Sequence, residues 1–208
     1  MKLVLAIAAF AFAAQSAIAQ DAKKFYVFGQ VGSANVSIDK SGDDTALIQA
    51  GAVGLSSSVN QSASAIMLGA GFKFMPQASV EIGYFKSSDF TYKASFAQGT
   101  ATDKFSGSGF GANLVGYLPL GEKVDVYGKI GVWNFSVDET ATISAAGFAQ
   151  MSQSSSNTTP MIGVGVEFKV TPEFGIRAEY DHFNTIGDDK TIGSSSLNYF
   201  SAGLAFSF

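Results

Sequence analysis

In eight stretches of this chain every second residue is apolar or small, and those apolar rows contain no Asp, Glu, Lys or Arg. The last stretch, 197–208, is the plainest. Phe200, Ala202, Leu204, Phe206 and Phe208 share one parity with Asn198, and Leu197, Tyr199, Ser201, Gly203, Ala205 and Ser207 share the other. Successive side chains of a strand point to opposite faces, so each stretch reads as a strand with one apolar face and one small or polar face. A final strand left as an open apolar edge invites aggregation, and pairing it with the first strand to close a barrel removes that edge.

The other seven stretches extend the pattern. Phe25, Val27, Gly29 and Val31 oppose Tyr26, Phe28, Gln30 and Gly32, and Ile66, Leu68, Ala70, Phe72 and Phe74 oppose Met67, Gly69, Gly71 and Lys73. Val80, Ile82 and Tyr84 oppose Ser79, Glu81 and Gly83, and Phe110, Ala112, Leu114, Gly116 and Leu118 oppose Gly111, Asn113, Val115 and Tyr117. Val124, Val126, Ile130 and Val132 oppose Asp125, Tyr127, Lys129, Gly131 and Trp133. Ile162, Val164, Val166 and Phe168 oppose Met161, Gly163, Gly165, Glu167 and Lys169, while Phe174, Ile176, Ala178 and Tyr180 oppose Gly175, Arg177, Glu179 and Asp181.

The ionisable residues therefore collect on the face that a soluble barrel would make apolar. A polar interior and an uncharged apolar exterior are what a bilayer selects, because a basic side chain facing lipid at mid-depth costs about 2–4 kcal/mol. Lys86 shares the parity of Tyr84, but it lies towards a loop, where a long side chain reaches the head groups. Connections at one end are short, at Met75-Pro76-Gln77, at 119–123 and at Thr171-Pro172-Glu173. Those at the other end, 39–63, 87–104, 137–157 and 184–196, are long and rich in Ser, Gly, Thr, Ala, Gln and Asp. They read as mobile exposed loops. An even number of strands with this asymmetry is an all-β, eight-stranded antiparallel up-and-down transmembrane β-barrel whose long loops face outwards.

The start of the chain, with Lys2, an apolar run and Ala17-Ile18-Ala19, reads as a secretory signal peptide over 1–19, leaving 20–208 as one barrel domain. The chain has no Cys, so an exported fold of this kind relies on hydrogen bonding and packing. Mild acidity offers nothing to nucleic acid, and the sequence shows no metal-spaced His or Cys cluster and no sign of a cofactor.

The segment 165–180, Gly-Val-Glu-Phe-Lys-Val-Thr-Pro-Glu-Phe-Gly-Ile-Arg-Ala-Glu-Tyr, followed by Asn184-Thr-Ile-Gly-Asp188 and Thr191-Ile-Gly193, resembles strands six to eight of the OmpA transmembrane domain. Glu81-Ile-Gly-Tyr84 and 126–131, Val-Tyr-Gly-Lys-Ile-Gly, resemble its third and fifth strands, and the final Ser-Phe resembles its terminal aromatic. The resemblance is strong from Thr158 onwards and loose before it. It implies the same eight-stranded barrel in the outer membrane. Larger members carry a periplasmic peptidoglycan-binding domain after the barrel, which is not expected in a chain ending at strand eight.

The resemblance also implies a salt-bridged lumenal network that plugs or gates the barrel, with Glu81, Glu167 and Arg177 matching its members, Lys129 as a further interior base and Glu179 beside them. Strand four departs from the family, with Asn113, Val115 and Tyr117 where an interior Lys is expected, so the gating pair is not carried over. The partners implied are outer-membrane lipid and lipopolysaccharide, the barrel assembly machinery through Phe208, and host or surface ligands at the loops.

An eight-stranded barrel is just wide enough for its own side chains. The first expectation is therefore a structural, surface-interacting protein with a largely plugged lumen, and not an enzyme. The alternatives are a small low-conductance pore and, more remotely, a lipid-modifying enzyme. The single histidine, His182, shares the lipid-facing parity of Tyr180, where interface anchoring suits it better than catalysis. Asp43-Asp44 and Asp188-Asp189 read as solvated loop charge rather than cation sites, and Gly107-Ser-Gly-Phe-Gly111 as close strand packing rather than a phosphate loop.

Overall fold

The computed structural model describes residues 24–37, 40–144, 151–188 and 193–208, so the expected signal peptide and Asp189 lie outside the described residues. The strands are β1 (Phe25–Val36), β2 (Ser56–Asn60), β3 (Ser62–Met75), β4 (Ala78–Ser87), β5 (Phe90–Phe96), β6 (Gly99–Pro119), β7 (Val124–Ser144), β8 (Met151–Lys169), β9 (Phe174–Asp188) and β10 (Gly193–Ser207), with one helix, α1 (Lys40–Gln49). Antiparallel pairing runs β1-β3-β4-β6-β7-β8-β9-β10 and returns to β1, closing a ring of eight. β2 and β5 continue β3 and β4 after short breaks at Gln61 and at Ser88-Asp89, and they pair with each other while β5 pairs with the upper part of β6. Ring closure leaves the membrane-spanning sheet without an edge.

The parity expectation holds strand by strand. Met67, Ser79, Glu81, Asn113, Val115, Lys129, Trp133, Arg177 and Tyr199 are buried inside, whereas Val31, Ile82, Phe110, Ile130, Ile162, Val164 and Phe200 stand out on the exterior. The outward apolar row of β7 runs from Val124 to Val132 and that of β6 from Phe110 to Leu118. Each matches the about 9–11 residues that a tilted strand needs to cross the hydrocarbon. Aromatic rings rim both ends of this band, with Tyr180 on Phe200 at 4.6 Å on the loop side and Phe25 on Phe72 at 4.8 Å and Phe174 on Phe206 at 5.1 Å on the turn side.

The turns on the short side are tightly built. Thr171 Oγ1 accepts from the backbone N–H of Glu173 and Phe174 at 3.2 and 3.0 Å, closing the β8–β9 turn. Gly121, at φ +95°, takes the left-handed position in the β6–β7 turn, whose Leu120 N–H bonds Val124 O at 2.7 Å.

The long side corrects one expectation. Much of 39–63, 87–104, 137–157 and 184–196 is strand, not mobile loop, and only Ala97-Gln98 separates β5 from β6. β6 and β7 are each 21 residues long, about twice what the bilayer requires. Beyond Val132 the sense of the alternation reverses. Outward positions become Asn134, Ser136, Asp138 and Thr140, while Trp133, Phe135 and Val137 pack inside. Water now bathes the exterior, so the apolar row moves to the interior, as in a soluble sheet. β2, β5 and the upper parts of β6, β7 and β8 form a protruding shell. Its inner face carries a small core of Tyr92, Ala94 and Ala101, with Leu47 of α1, Leu55, Val59, Phe96 and Ile143 against it. Gly107 to Gly111 lies within β6, where Gly107 N–H donates to Ser87 Oγ at 2.9 Å.

Candidate functional site

The lumen is filled in two layers. In the lower layer β4 supplies Glu81, β7 Lys129, β8 Glu167 and β9 both Arg177 and Glu179, all turned inward by strand parity. These five form one unbroken chain of ion pairs. Glu167 Oε2 accepts from Arg177 Nε at 2.7 Å, Arg177 Nη1 reaches Glu81 Oε1 at 2.8 Å, Glu81 Oε2 lies 3.1 Å from Lys129 Nζ, and Lys129 Nζ lies 2.5 Å from Glu179 Oε1. The register explains how long side chains fit side by side, since Lys129 is paired with Gly163 on β8, Glu179 with Gly165, and Arg177 with Gly203 on β10.

Neutral donors add to the coordination. Tyr26 OH donates to Glu81 at 2.8 Å, Tyr127 OH to Glu179 at 2.7 Å, and Gln30 Nε2 to Glu179 at 3.1 Å. The Arg177 guanidinium also lies 5.0 Å from the Tyr26 ring and 5.2 Å from that of Tyr127. Towards the turn end Lys169 pairs with Asp125 at 2.7 Å and Lys73 sits over the Tyr117 ring at 4.7 Å. Asp181, buried two residues beyond Glu179, adds a further carboxylate. Tyr26, Gln30 and Tyr127 share the inward parity of the charged residues, which is the signal that could have marked them as ligands of the network. On β6, the fourth strand expected from the sequence, Asn113 accepts from Trp133 Nε1–H at 2.8 Å and Tyr117 OH accepts from Arg177 Nη2 at 3.3 Å, so both are tied into the interior without a cation there.

The upper layer departs from the expected polar lumen. Phe85, Phe135 and Phe183 form an aromatic stack with Trp133 and Tyr199, closed around by Met67, Met161 and Leu197. Phe183 is at the centre, 4.9 Å from Phe135, 5.4 Å from Trp133 and 5.9 Å from Phe85 by ring centroid, and Tyr199 meets Phe85 edge-on at 5.2 Å. This layer lies where the strands leave the membrane, so its members are apolar for the reason given above. His182 is on the outer face, its Nδ1 2.8 Å from Asn198 Oδ1, an oxygen that also accepts from Tyr180 OH at 2.7 Å.

The shell above holds its own ionisable group. Asp103 on β6 and Glu139 on β7 turn inward, partly buried, and neither makes an ion pair among the described residues. Burial pushes both carboxyls above their ordinary values, with repulsion from Asp43 adding to the effect on Asp103 and repulsion from Asp103 and Asp43 to that on Glu139. Asp44 is displaced the other way, because Tyr92 OH donates to it at 2.6 Å.

A carboxyl whose folded value is raised favours folding fully below its unfolded value, here near 3.8 for Asp and 4.5 for Glu, and loses that contribution as pH rises through the folded value. Amide exchange in the upper parts of β5, β6 and β7, corrected for intrinsic rate, is therefore expected to be faster at pH 7 than at about pH 4.5. The double variant Asp103→Asn, Glu139→Gln should show no such difference.

The profile of the family described as the OmpA-like transmembrane domain matches residues 20–208. Outer membrane protein A of Shigella flexneri is 31% identical over 139 residues, covering 66% of this chain, and that of Salmonella typhi is 30% identical over the same length. The chain spans 38% of the length of these relatives. Among solved structures, Neisserial surface protein A superimposes with a TM-score of 0.56 at 16% identity, covering 88% of this chain and 97% of that one. Ail of Yersinia pestis gives 0.54 at 16% identity, over 89% and 99%. At such identities the likeness is one of fold. The profile match, the relatives and the closed eight-stranded ring agree, and the chain belongs to the OmpA-like transmembrane domain family as a β-barrel of the outer membrane.

Proposed function

We propose that this protein is a non-conducting, non-catalytic surface protein of the outer membrane, in which a plugged barrel mounts a folded extracellular shell that meets ligands outside the cell. The observation that carries this reading is the double filling of the lumen. An ion needing a hydrated path meets first the chain of charges from Glu167 to Glu179 and then the dry stack around Phe183. Separating paired buried charges costs several kcal/mol per ion, and the aromatic layer offers a permeating ion no polar contact. The commitment of His182 to Asn198 speaks against a lipid-modifying enzyme, because acyl transfer needs a base oriented at a nucleophile. Surface contact is supported by the shell having its own core with α1 against it. Ail, which shares the fold, has been crystallised with the heparin analogue sucrose octasulfate.

Purified barrel reconstituted into planar bilayers is expected to leave the membrane silent. Discrete single-channel steps that change when Lys129 or Arg177 is substituted would replace this reading with the pore.

A further inference from the structure

The charges inside the ring do not balance. Between the turn end and the aromatic layer, Glu81, Asp125, Glu167, Glu179 and Asp181 turn inward against Lys73, Lys129, Lys169 and Arg177, one acid more than there are bases. Arg177 is held by Glu81 and Glu167, Lys129 by Glu81 and Glu179, and Lys169 by Asp125, while Lys73 stands over the Tyr117 ring at the turn end. Asp181 is the acid left over. It is fully buried, and neither of its carboxyl oxygens has a hydrogen-bond donor among the described residues.

Each element around Asp181 withholds a donor. Its register partner on β8 is Gly163, which has no side chain, and Asp181 Oδ1 fills the space that a Cβ there would need. Its partner on β10 is Tyr199, whose hydroxyl donates instead to the backbone oxygens of Gln30 and Ala65 at 3.4 and 3.3 Å. Ser201 Oγ on β10 makes no hydrogen bond among the described residues. From β7, Tyr127 donates to Glu179, and Lys129 is shared between Glu179 and Glu81 of β4. Phe183, the next inward residue of β9, already belongs to the aromatic stack. Glu179, the inward residue on the other side, is about 7 Å away along the strand. The two carboxyl groups come within hydrogen-bond reach of each other. Two ionised carboxylates offer acceptors only, so a bond forms between them only when one oxygen carries a hydrogen.

From this juxtaposition we infer that Glu179 and Asp181 hold one proton in common, as a carboxyl–carboxylate hydrogen bond where the ionic layer meets the aromatic one. The proton is taken up from water as the barrel closes. It supplies the donor that Asp181 lacks, brings the acidic and basic charges of the lumen to equal number, and leaves no uncompensated ion against the Phe183 ring. A hydrogen bond to an ionised acceptor is among the stronger kinds, which suits a site closed to solvent. A water molecule in its place would satisfy the oxygens and leave the charge. A metal ion would have to sit beside the Lys129 ammonium, which already occupies Glu179 Oε1, with aromatic carbon on its other side. Glu179 keeps Lys129, Tyr127 and Gln30 as its donors, so the hydrogen is covalently bonded to Asp181 and donated to Glu179.

The test is infrared spectroscopy of the folded barrel in lipid vesicles at pH 7, taken as the difference between wild type and two variants. Asp181→Asn puts an amide donor where the acid hydroxyl stood, and Glu179→Gln lets an amide donate to an ionised Asp181. Each variant should lose the carbonyl absorbance of one protonated carboxyl group, because sharing requires both acids. Asp181→Asn should also keep the wild-type denaturant midpoint, since it copies the neutral acid in shape and donor. Heat-dependent gel mobility verifies that each variant is folded, and Asp181→Asn alone suffices should Glu179→Gln fail to fold. No loss of protonated-carboxyl absorbance in Asp181→Asn would overturn the inference and leave a water or a metal ion as the occupant. Loss in Asp181→Asn with retention in Glu179→Gln would overturn the sharing, and a lowered midpoint in Asp181→Asn would show that Asp181 serves the network as an anion.

Discussion

Replacing Arg177 by Met is expected to lower the unfolding free energy in lipid vesicles by about 3–5 kcal/mol, the range seen when one member of a buried ion pair is removed. Arg177 is 1% exposed and holds two carboxylates at once, Glu81 and Glu167. Losing it hurts Glu167 most. Glu81 still has Lys129 at 3.1 Å, but Glu167 has no second cation in the chain of ion pairs. The double variant Glu167→Gln, Arg177→Met should therefore recover part of the loss, since it removes the stranded charge as well as its partner. Denaturant titration read by the emission of Trp133, the chain's single tryptophan, would measure both. Equal stability of wild type and the single variant would mean that Glu167 is hydrated and the layer open to water.

A comparable loss is expected at the aromatic layer. Phe183→Ala should cost about 3–5 kcal/mol, because a fully buried ring is exchanged for a cavity that its neighbours fill only in part. Phe85, Trp133 and Phe135 all rest on Phe183, so the cavity lies at the centre of the stack. Conductance should stay absent in this variant while the ionic layer beneath it is intact. The same vesicle titration gives the stability change, and planar bilayers give the conductance. A loss below about 1 kcal/mol would show that the layer collapses around the gap rather than supporting a fixed shape.

The membrane-embedded half is legible because two constraints act on every strand at once. Hydrocarbon outside forbids charge, and a narrow lumen forces charged residues to meet, so the alternation of Ile162, Val164 and Val166 against Gly163, Gly165 and Glu167 carries both fold and network. Direct pairing of Glu167 with Arg177 across the β8–β9 turn follows from the shortness of Thr171-Pro172-Glu173. The protruding half is harder to read. Phe85, Phe135 and Phe183 continue the inward rows of Gly83, Trp133 and Asp181, but a rule that places polar groups inside fails once the outer solvent is water. Segments such as Ser56–Asn60 and Met151–Lys169 open with Ser, Gln, Asn and Thr, which composition assigns to loops, whereas register with Phe90–Phe96 and Val124–Ser144 makes them strands. α1 has no buried residues and carries no apolar stripe to announce it.

The reversal at Val132 and Trp133 bears on how the barrel is inserted. Everything above it must traverse the bilayer before it can acquire its hydrophobic interior, so the transit is made by an unpacked chain. Ser62, Ser64, Ser108, Asn134, Ser136, Ser154, Ser156 and Thr158 supply much of the outward surface there with hydroxyls and amides, among a smaller number of formal charges such as Lys86, Lys93, Lys104, Asp89 and Asp138. A neutral polar group is far cheaper to desolvate than an ion. The serine-rich upper strands can thus be understood as a surface soluble enough for its destination yet inexpensive to carry across.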